Sequence, residues 1–141
     1  MEKPPTLLGI DAYLLSQIGK AGRNRVADRL AARGLRLWHF AVLAALADFG
    51  PHSQRDLSVR LTVDVSDMAK VLDQLTADDR IDRVRDSADR RRMLVSLTDQ
   101  GRELLEELRR DAAEVDRELL SALTAAERKQ LHALLLKVSR T

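Results

Sequence analysis

The stretch that most constrains this chain runs from Arg80 to Gly101, RIDRVRDSADRRRMLVSLTDQG. Ile81, Val84, Met93, Val95 and Leu97 read as the inward side of two short strands, because apolar residues recurring over short runs mark half-buried strands. Between them the connector RDSADRRR, Arg85 to Arg92, carries four arginines and two aspartates, with nothing apolar larger than Ala88. Such a segment cannot pack inward. It has to project into solvent as a charged hairpin tip, and a protruding basic loop suits an anionic partner.

The 141 residues, 45% hydrophobic and 33% charged, suit one soluble folded unit over 1–141. Aromatics make up only 3% while Ala, Leu and Arg abound, so helices are expected everywhere except at the hairpin. The expected fold class is mainly α with a small β-wing. A net charge of +2 is too small to draw nucleic acid to the molecule as a whole, so any such binding must come from where the charge sits. Without cysteine there is no disulfide, thiol sensor or thiolate metal site. His39, His52 and His132 lack the spacing of a metal motif, and neither a nucleophile elbow nor a glycine-rich phosphate loop is found. No cofactor, metal or enzymatic activity is therefore expected. No apolar run approaches the ~18 residues of a membrane span and no signal peptide is evident, so the expectation is a cytoplasmic protein without a membrane partner.

Along the chain, Leu7, Ile10, Leu14, Ile18, Val26 and Leu30 fall near one side of a helix from Leu7 to about Ala32, which Gly34 ends. Leu37 to Asp48 is apolar almost all round and belongs at the centre of a core. Gly50-Pro51 breaks it. Ser53 caps the next helix, to Leu61, with Asp56 at the third position of a capping box. Asp64 caps the helix after that, which turns Val65, Met68, Val71, Leu72 and Leu75 inward and Ser66, Asp67, Ala69, Lys70 and Asp73 outward. A short helix, a tight turn and a longer helix make a helix-turn-helix. With the charged hairpin behind it, the region of about 37–97 reads as a winged helix-turn-helix whose wing is Asp86–Arg92, and its anionic partner would be double-stranded DNA. Beyond the wing, Thr98 or Asp99 opens a helix to about Ser121 with a stripe of Leu104, Leu105, Leu108, Ala112, Val115, Leu119 and Leu120. Thr124 to Glu127 forms a capping box for a last helix lined by Leu131, Leu134, Leu135 and Val138. These stripes outreach a compact monomer. The helices of about 7–33 and 98–140 are accordingly expected to form a homodimer, with ordinary intrachain packing as the alternative.

The segment LSVRLTVDVSDMAKVLDQLTADDRIDRVRDSADRRRMLVSLTDQGRELL resembles the MarR (multiple antibiotic resistance regulator) family, in which a wing D-x-x-D-R-R precedes a strand and L-T-x-x-G. Those positions are Asp86, Asp89, Arg90, Arg91, Leu97, Thr98 and Gly101. LRLWHFAVLAALA is similar to the family's second helix, so the resemblance extends over nearly the whole chain. It implies a homodimeric transcriptional regulator, usually a repressor, that binds a pseudo-palindromic operator and is often released by a small aromatic or anionic ligand. Two departures stand out. Thr62 and Asp79-Arg80 replace the family's common Gly and Gly-Leu, so the turns at both ends of the recognition helix are expected to differ in shape. From Asp64 to Asp79 there are also five aspartates and one lysine.

Candidate contacts follow. Ser53, Gln54 and Arg55 open the helix that crosses the DNA backbone and are placed to hold phosphates. Val65, Ser66, Asp67, Ala69 and Lys70 would enter the major groove, where a carboxylate accepts from cytosine N4. Arg83, Arg85, Asp89, Arg90, Arg91 and Arg92 would serve the wing in the minor groove, with Arg91 at the tip and Asp89 as the ion-pair partner that fixes the hairpin. By the resemblance, an effector pocket would lie where the first, second and fifth helices meet under the dimer interface, with Tyr13, Gln17, Trp38 and His39 as lining residues. An ordinary core role for His39 beside Trp38 is the alternative. The acidity of the recognition helix also motivates a different class, a winged-helix protein-interaction module without DNA binding.

Overall fold

The computed structural model describes residues 1–140. In chain order the elements are α1 (Pro5–Leu8), α2 (Asp11–Ala32), α3 (Leu37–Phe49), α4 (Gln54–Leu61), α5 (Val65–Ala77), β1 (Ile81–Arg85), β2 (Met93–Leu97), α6 (Asp99–Leu119) and α7 (Ala125–Ser139). The fold is mainly α with a two-stranded antiparallel wing. The chain divides into a central unit, 26–111, and a terminal unit built from 1–25 and 112–140.

In the central unit α3 is buried along Val42, Leu43, Ala45 and Leu46, as an all-round apolar helix must be. Around it gather Leu30, Leu57, Met68, Leu72, Leu75, Ile81, Val95, Leu104, Leu105 and Leu108. Each fully buried Leu contributes about 1.5–3 kcal/mol relative to an exposed one. Arg33 clasps α6 through Glu107 at 2.9 Å and Asp111 at 2.8 Å. The hydrogen bond from Arg33 holds the Asp111 carboxyl below the usual carboxylate range. In α5, Met68, Val71, Leu72 and Leu75 face the core. Val65, expected with them, is instead 66% exposed: it is the first residue of the helix, whose tip extends past the core.

The wing pairs Ile81 with Leu97, Arg83 with Val95 and Arg85 with Met93, while Val84 sits opposite Leu94 on the other face. Val84 and Met93, expected inward, are each 43% exposed. Ile81 and Val84 are three residues apart, so the two-residue period of a strand sends them to opposite faces. Met93 shares the parity of Val95 but lies at the loop end of the hairpin. The other edge of β2 is also engaged, because Val95 and His52 exchange backbone hydrogen bonds at 2.6 and 3.1 Å.

Three helices of this unit end in the same way, with a bond closing from the residue after a left-handed position back to a carbonyl five residues earlier. Leu35 N–H donates to the Leu30 carbonyl at 2.9 Å, Val63 to Ser58 at 3.0 Å and Arg80 to Leu75 at 2.9 Å. The left-handed residues are Gly34 at φ 73°, Thr62 at φ 54° and Asp79 at φ 58°. The turns beside α5 thus keep the backbone shape glycine favours, contrary to the expectation drawn from Thr62 and Asp79-Arg80. The cost for an L-residue is roughly 1–2 kcal/mol, least for Asp and greatest for a β-branched residue such as Thr. Burial of Leu35 and Val63, each directly after its left-handed residue, holds two of these turns in place.

In the terminal unit the helix expected from Leu7 is interrupted at Gly9 and Ile10, giving α1 and α2. Gly9 caps α1, consistent with the poor helix propensity of glycine, and Asp11 then favours the start of α2. Thr124 and Glu127 cap α7 reciprocally, at 3.2 and 2.9 Å. Val115 is buried, but Leu7, Ile10, Leu15, Ile18, Leu134 and Leu135 are exposed. An apolar cleft of about 710 Å³ lies among Leu15, Ile18, Gly22, Leu119, Leu123 and Leu131.

The first turn of α6 packs directly on the end of the α5–β1 turn. Thr98 Oγ1 accepts from Gly101 N–H at 3.0 Å and donates to the Asp79 carbonyl at 2.7 Å. A Cβ on Gly101 would lie 2.0 Å from the Arg80 carbonyl oxygen. Two substitutions should therefore move stability in opposite directions in urea unfolding at fixed protein concentration. Gly101→Ala is expected to destabilise by about 3 kcal/mol or more. Thr62→Gly is expected to stabilise by about 1 kcal/mol, because it relieves the left-handed strain.

Candidate nucleic-acid interface

The outward face of α5 begins at its cap. The Asp64 carboxylate accepts from the Ser66 hydroxyl and from Ser66 N–H, the latter at 3.2 Å. These two bonds, the hydroxyl first, hold the Asp64 carboxyl below the usual carboxylate range. Ser66, Asp67 and Lys70 are exposed on the following turn, and Ala69 is half-buried between them. Further along, Asp73 pairs with Arg83 of β1 at 3.1 Å. Of the aspartates from 64 to 79, then, one is engaged in capping and one in bracing the wing.

Ser53 caps α4 by accepting from Asp56 N–H at 3.1 Å, but the expected reciprocal half of the box is not made. The Asp56 carboxylate pairs with Arg92 instead, because a guanidinium at the neck of the wing loop is a stronger partner than a backbone N–H. Gln54 is half-buried and Arg55 is exposed at the start of the same helix. The wing loop is closed by Asp86 N–H donating to the Arg92 carbonyl at 2.9 Å and Arg92 N–H to the Asp89 carbonyl at 3.0 Å. Within it, Asp89 accepts from Arg91 N–H at 3.1 Å and pairs with its guanidinium at 3.3 Å. Arg85 donates to the Arg90 carbonyl at 2.8 Å. Apart from Arg85, the candidate wing cations therefore fall into two groups. Arg83, in β1, and Arg92, at the neck of the loop, are tied to helix carboxylates, whereas the Arg91 side chain is 92% exposed at the tip, with Arg90 exposed beside it.

Trp38 and His39 meet α5 in a cleft of about 230 Å³ that Arg36, Asp67, Lys70 and Gln74 also line. His39 is buried there. Its Nδ1 accepts from Arg36 N–H at 2.9 Å, so the ring proton lies on Nε2, which donates to Gln74 Oε1 at 2.8 Å. The Gln74 amide in turn donates to the Gly34 carbonyl at 3.1 Å. Asp67 and Lys70, two of the major-groove candidates, thus share one cleft with Trp38 and His39, two of the candidates for the effector pocket. The other two candidates for that pocket, Tyr13 and Gln17, belong to the terminal unit. There Lys3 lies 5.9 Å from the Tyr13 ring centroid and donates to Gln17 Oε1 at 3.1 Å. Sequence reasoning passed over Arg36, although its position two residues before Trp38 was a usable signal. Asp56, Asp73 and Gln74 were also missed in these roles, and no local pattern announces them.

Among the described residues no cluster of three or more His, Cys, Asp or Glu side chains is placed to hold a metal ion. No single helix there is long and apolar enough to cross a membrane.

A short helix, a tight turn, a second helix with a free outer face and an arginine-tipped hairpin define a winged helix-turn-helix protein. The sequence profile of the MarR family matches residues 33–92. The HTH-type transcriptional repressor NicR of Pseudomonas putida is 32% identical over 99 residues, a stretch covering 70% of this chain and 63% of NicR's own length. Wild-type MarR from E. coli superimposes with a TM-score of 0.80 at 25% identity, covering 92% of this chain and 96% of that one. BpsR of Bordetella bronchiseptica, whose DNA binding is regulated by 6-hydroxynicotinic acid, gives a TM-score of 0.73 at 30% identity, with 94% of each chain covered. The chain belongs to the MarR family.

Proposed function

We propose that the protein is a cytoplasmic homodimeric transcriptional regulator, a repressor that binds a pseudo-palindromic operator and is released by a small aromatic acid. The observation that carries this reading is the exposed Arg90–Arg91 tip of a hairpin that is fixed to α4 and α5 through Arg92–Asp56 at the neck of the loop and Arg83–Asp73 in β1. A guanidinium so presented suits a narrow, A·T-rich minor groove while α5 lies in the adjacent major groove. The exposed apolar residues of the terminal unit, Leu15, Ile18, Leu134 and Leu135 among them, supply a surface for a second copy. Two subunits would then engage half-sites about one helical turn apart. The acidity of α5 is a weaker argument for a protein-interaction module than the sequence suggests, because Asp64 and Asp73 are already partnered.

Within the cleft, the Trp38 ring, 38% exposed, offers a face for an aromatic ligand, with Arg36 and Lys70 beside it for a carboxylate. A ligand seated there would touch Asp67 and Lys70, the side chains that face bases, which gives a direct route from binding to release.

The DNA-binding reading is tested with duplexes selected from a random pool. Arg91→Ala should weaken binding to the selected repeat at least tenfold in gel shifts, and should flatten its salt dependence by about two counterions per dimer. Arg83→Ala, whose guanidinium is already paired, should do less; an Arg91→Ala protein with wild-type affinity would remove the wing from the mechanism. For the effector, 6-hydroxynicotinic acid and salicylic acid are the probes. Either one binding the cleft should raise the melting temperature of the wild type and leave Trp38→Ala unmoved, and an equal response from both proteins would refute the cleft as the site.

A further inference from the structure

The exposed face of α5 has a definite hydrogen-bonding character once the groups engaged internally are set aside. Ser66 commits its only hydroxyl hydrogen to the Asp64 carboxylate, which leaves the oxygen lone pairs alone facing outward. The Asp64 carboxylate is the acceptor in that bond, as it is for Ser66 N–H. Asp67 is exposed, with no side-chain partner among the described residues, and an ionised carboxylate only accepts. Lys70, three residues on and exposed on the same side, only donates. Gln74 continues the row and would be a natural adenine reader, but both ends of its amide are occupied, by His39 and by the Gly34 carbonyl. Asp73 is paired with Arg83. Reading therefore falls to two acceptors at the helix tip and one donor a turn later.

The acceptor of Asp67 and the donor of Lys70 find their complement together in a single base pair of the major groove. Cytosine presents the N4 amino donor, and its guanine partner presents the O6 and N7 acceptors. Along the helix axis Asp67 and Lys70 are about 4.5 Å apart, an offset that the flexible four-carbon stem of Lys70 can close so that its ammonium reaches the pair Asp67 addresses. Resting on the DNA-binding reading above, we infer that Asp67 and Lys70 together specify a C·G pair in each operator half-site, the carboxylate taking cytosine N4 and the ammonium the guanine edge. Exclusion contributes as much as attraction. Opposite guanine or thymine, Asp67 would meet only acceptors, leaving a desolvated carboxylate unpaired, and such a mismatch discriminates more strongly than the loss of one contact.

The experiment is selection of duplexes from a random pool by three proteins, the wild type, Asp67→Asn and Asp67→Ala. The Asp67 side chain is exposed and accepts none of the capping bonds of α5, so closely similar melting temperatures should certify all three as folded. The wild type is expected to enrich an inverted repeat with cytosine at one fixed position of each half-site, preferred tenfold or more. Asp67→Asn should move that preference to adenine, whose N6 and N7 match a carboxamide, and Asp67→Ala should lose discrimination at that position alone. If all three proteins enrich the same repeat with the same bases, the assignment of Asp67 is overturned while DNA binding stands. If none enriches any repeat, the DNA-binding reading fails and this inference with it.

Discussion

Burial of one row of α5 governs the rest of the central unit. Met68, Leu72 and Leu75 are fully enclosed and Val71 nearly so, and a 3.6-residue period gathers these four onto one side of the helix. Turning the helix by a single residue, about 100°, would expose Leu72 and drive a carboxylate toward the core, a change of several kcal/mol. The identity of the outward face is thus decided by hydrocarbon on the inward one. Packing alone would still tolerate a small slide along the axis. The hydrogen bonds from His39 to Gln74 and from Gln74 to Gly34 are directional and remove that freedom, which matters for a helix whose neighbouring side chains must meet partners at ångström precision.

The wing depends on the same helices. A two-stranded hairpin is marginal by itself in water, and this one gains a neighbour along β2 from His52 as well as Ile81 and Val95 in the core. The ion pairs that tie it to α4 and α5 are exposed, and such pairs contribute only about 0.2–1 kcal/mol each. Their consequence lies in direction rather than stability. Asp56 and Asp73 fix two of the wing's arginines against α4 and α5, so Arg90 and Arg91 are left to point away from the body of the protein.

What was legible in the sequence acts over short distances. Ser53, Asp64 and Thr124 cap helices within three residues of themselves, and Gly34 and Gly50 adopt positive φ just past a helix end, so composition at one spot was enough to place them. The order of helices and the charged hairpin were legible for the same reason. Val84 and Met93 were misjudged because apolar residues were counted without regard to strand parity and reach, and Val65 because a matching period does not guarantee that the core extends that far. Thr62 and Asp79 show a different difficulty. Their left-handed backbone is imposed by how the chain must continue, not by their own preference. The pairs Asp56–Arg92 and His39–Gln74, separated by 36 and 35 residues, leave no periodic trace and become visible only when the fold brings them together.

An acidic reading helix beside a basic wing looks self-defeating until affinity and selectivity are considered separately. Attraction to the duplex counts cations near phosphates and is nearly the same at every sequence. A carboxylate in the groove opposes that attraction equally at every sequence too, so it lowers the non-specific background along with the total. Only where an amino group meets the carboxylate is its desolvation offset, and there the penalty vanishes. The ratio of specific to non-specific binding, which governs occupancy among many competing sites, therefore rises even as absolute affinity falls. On the proposed reading, the division of charge between α5 and the hairpin tip trades strength of binding for selectivity, with Arg90 and Arg91 restoring enough attraction for the complex to form.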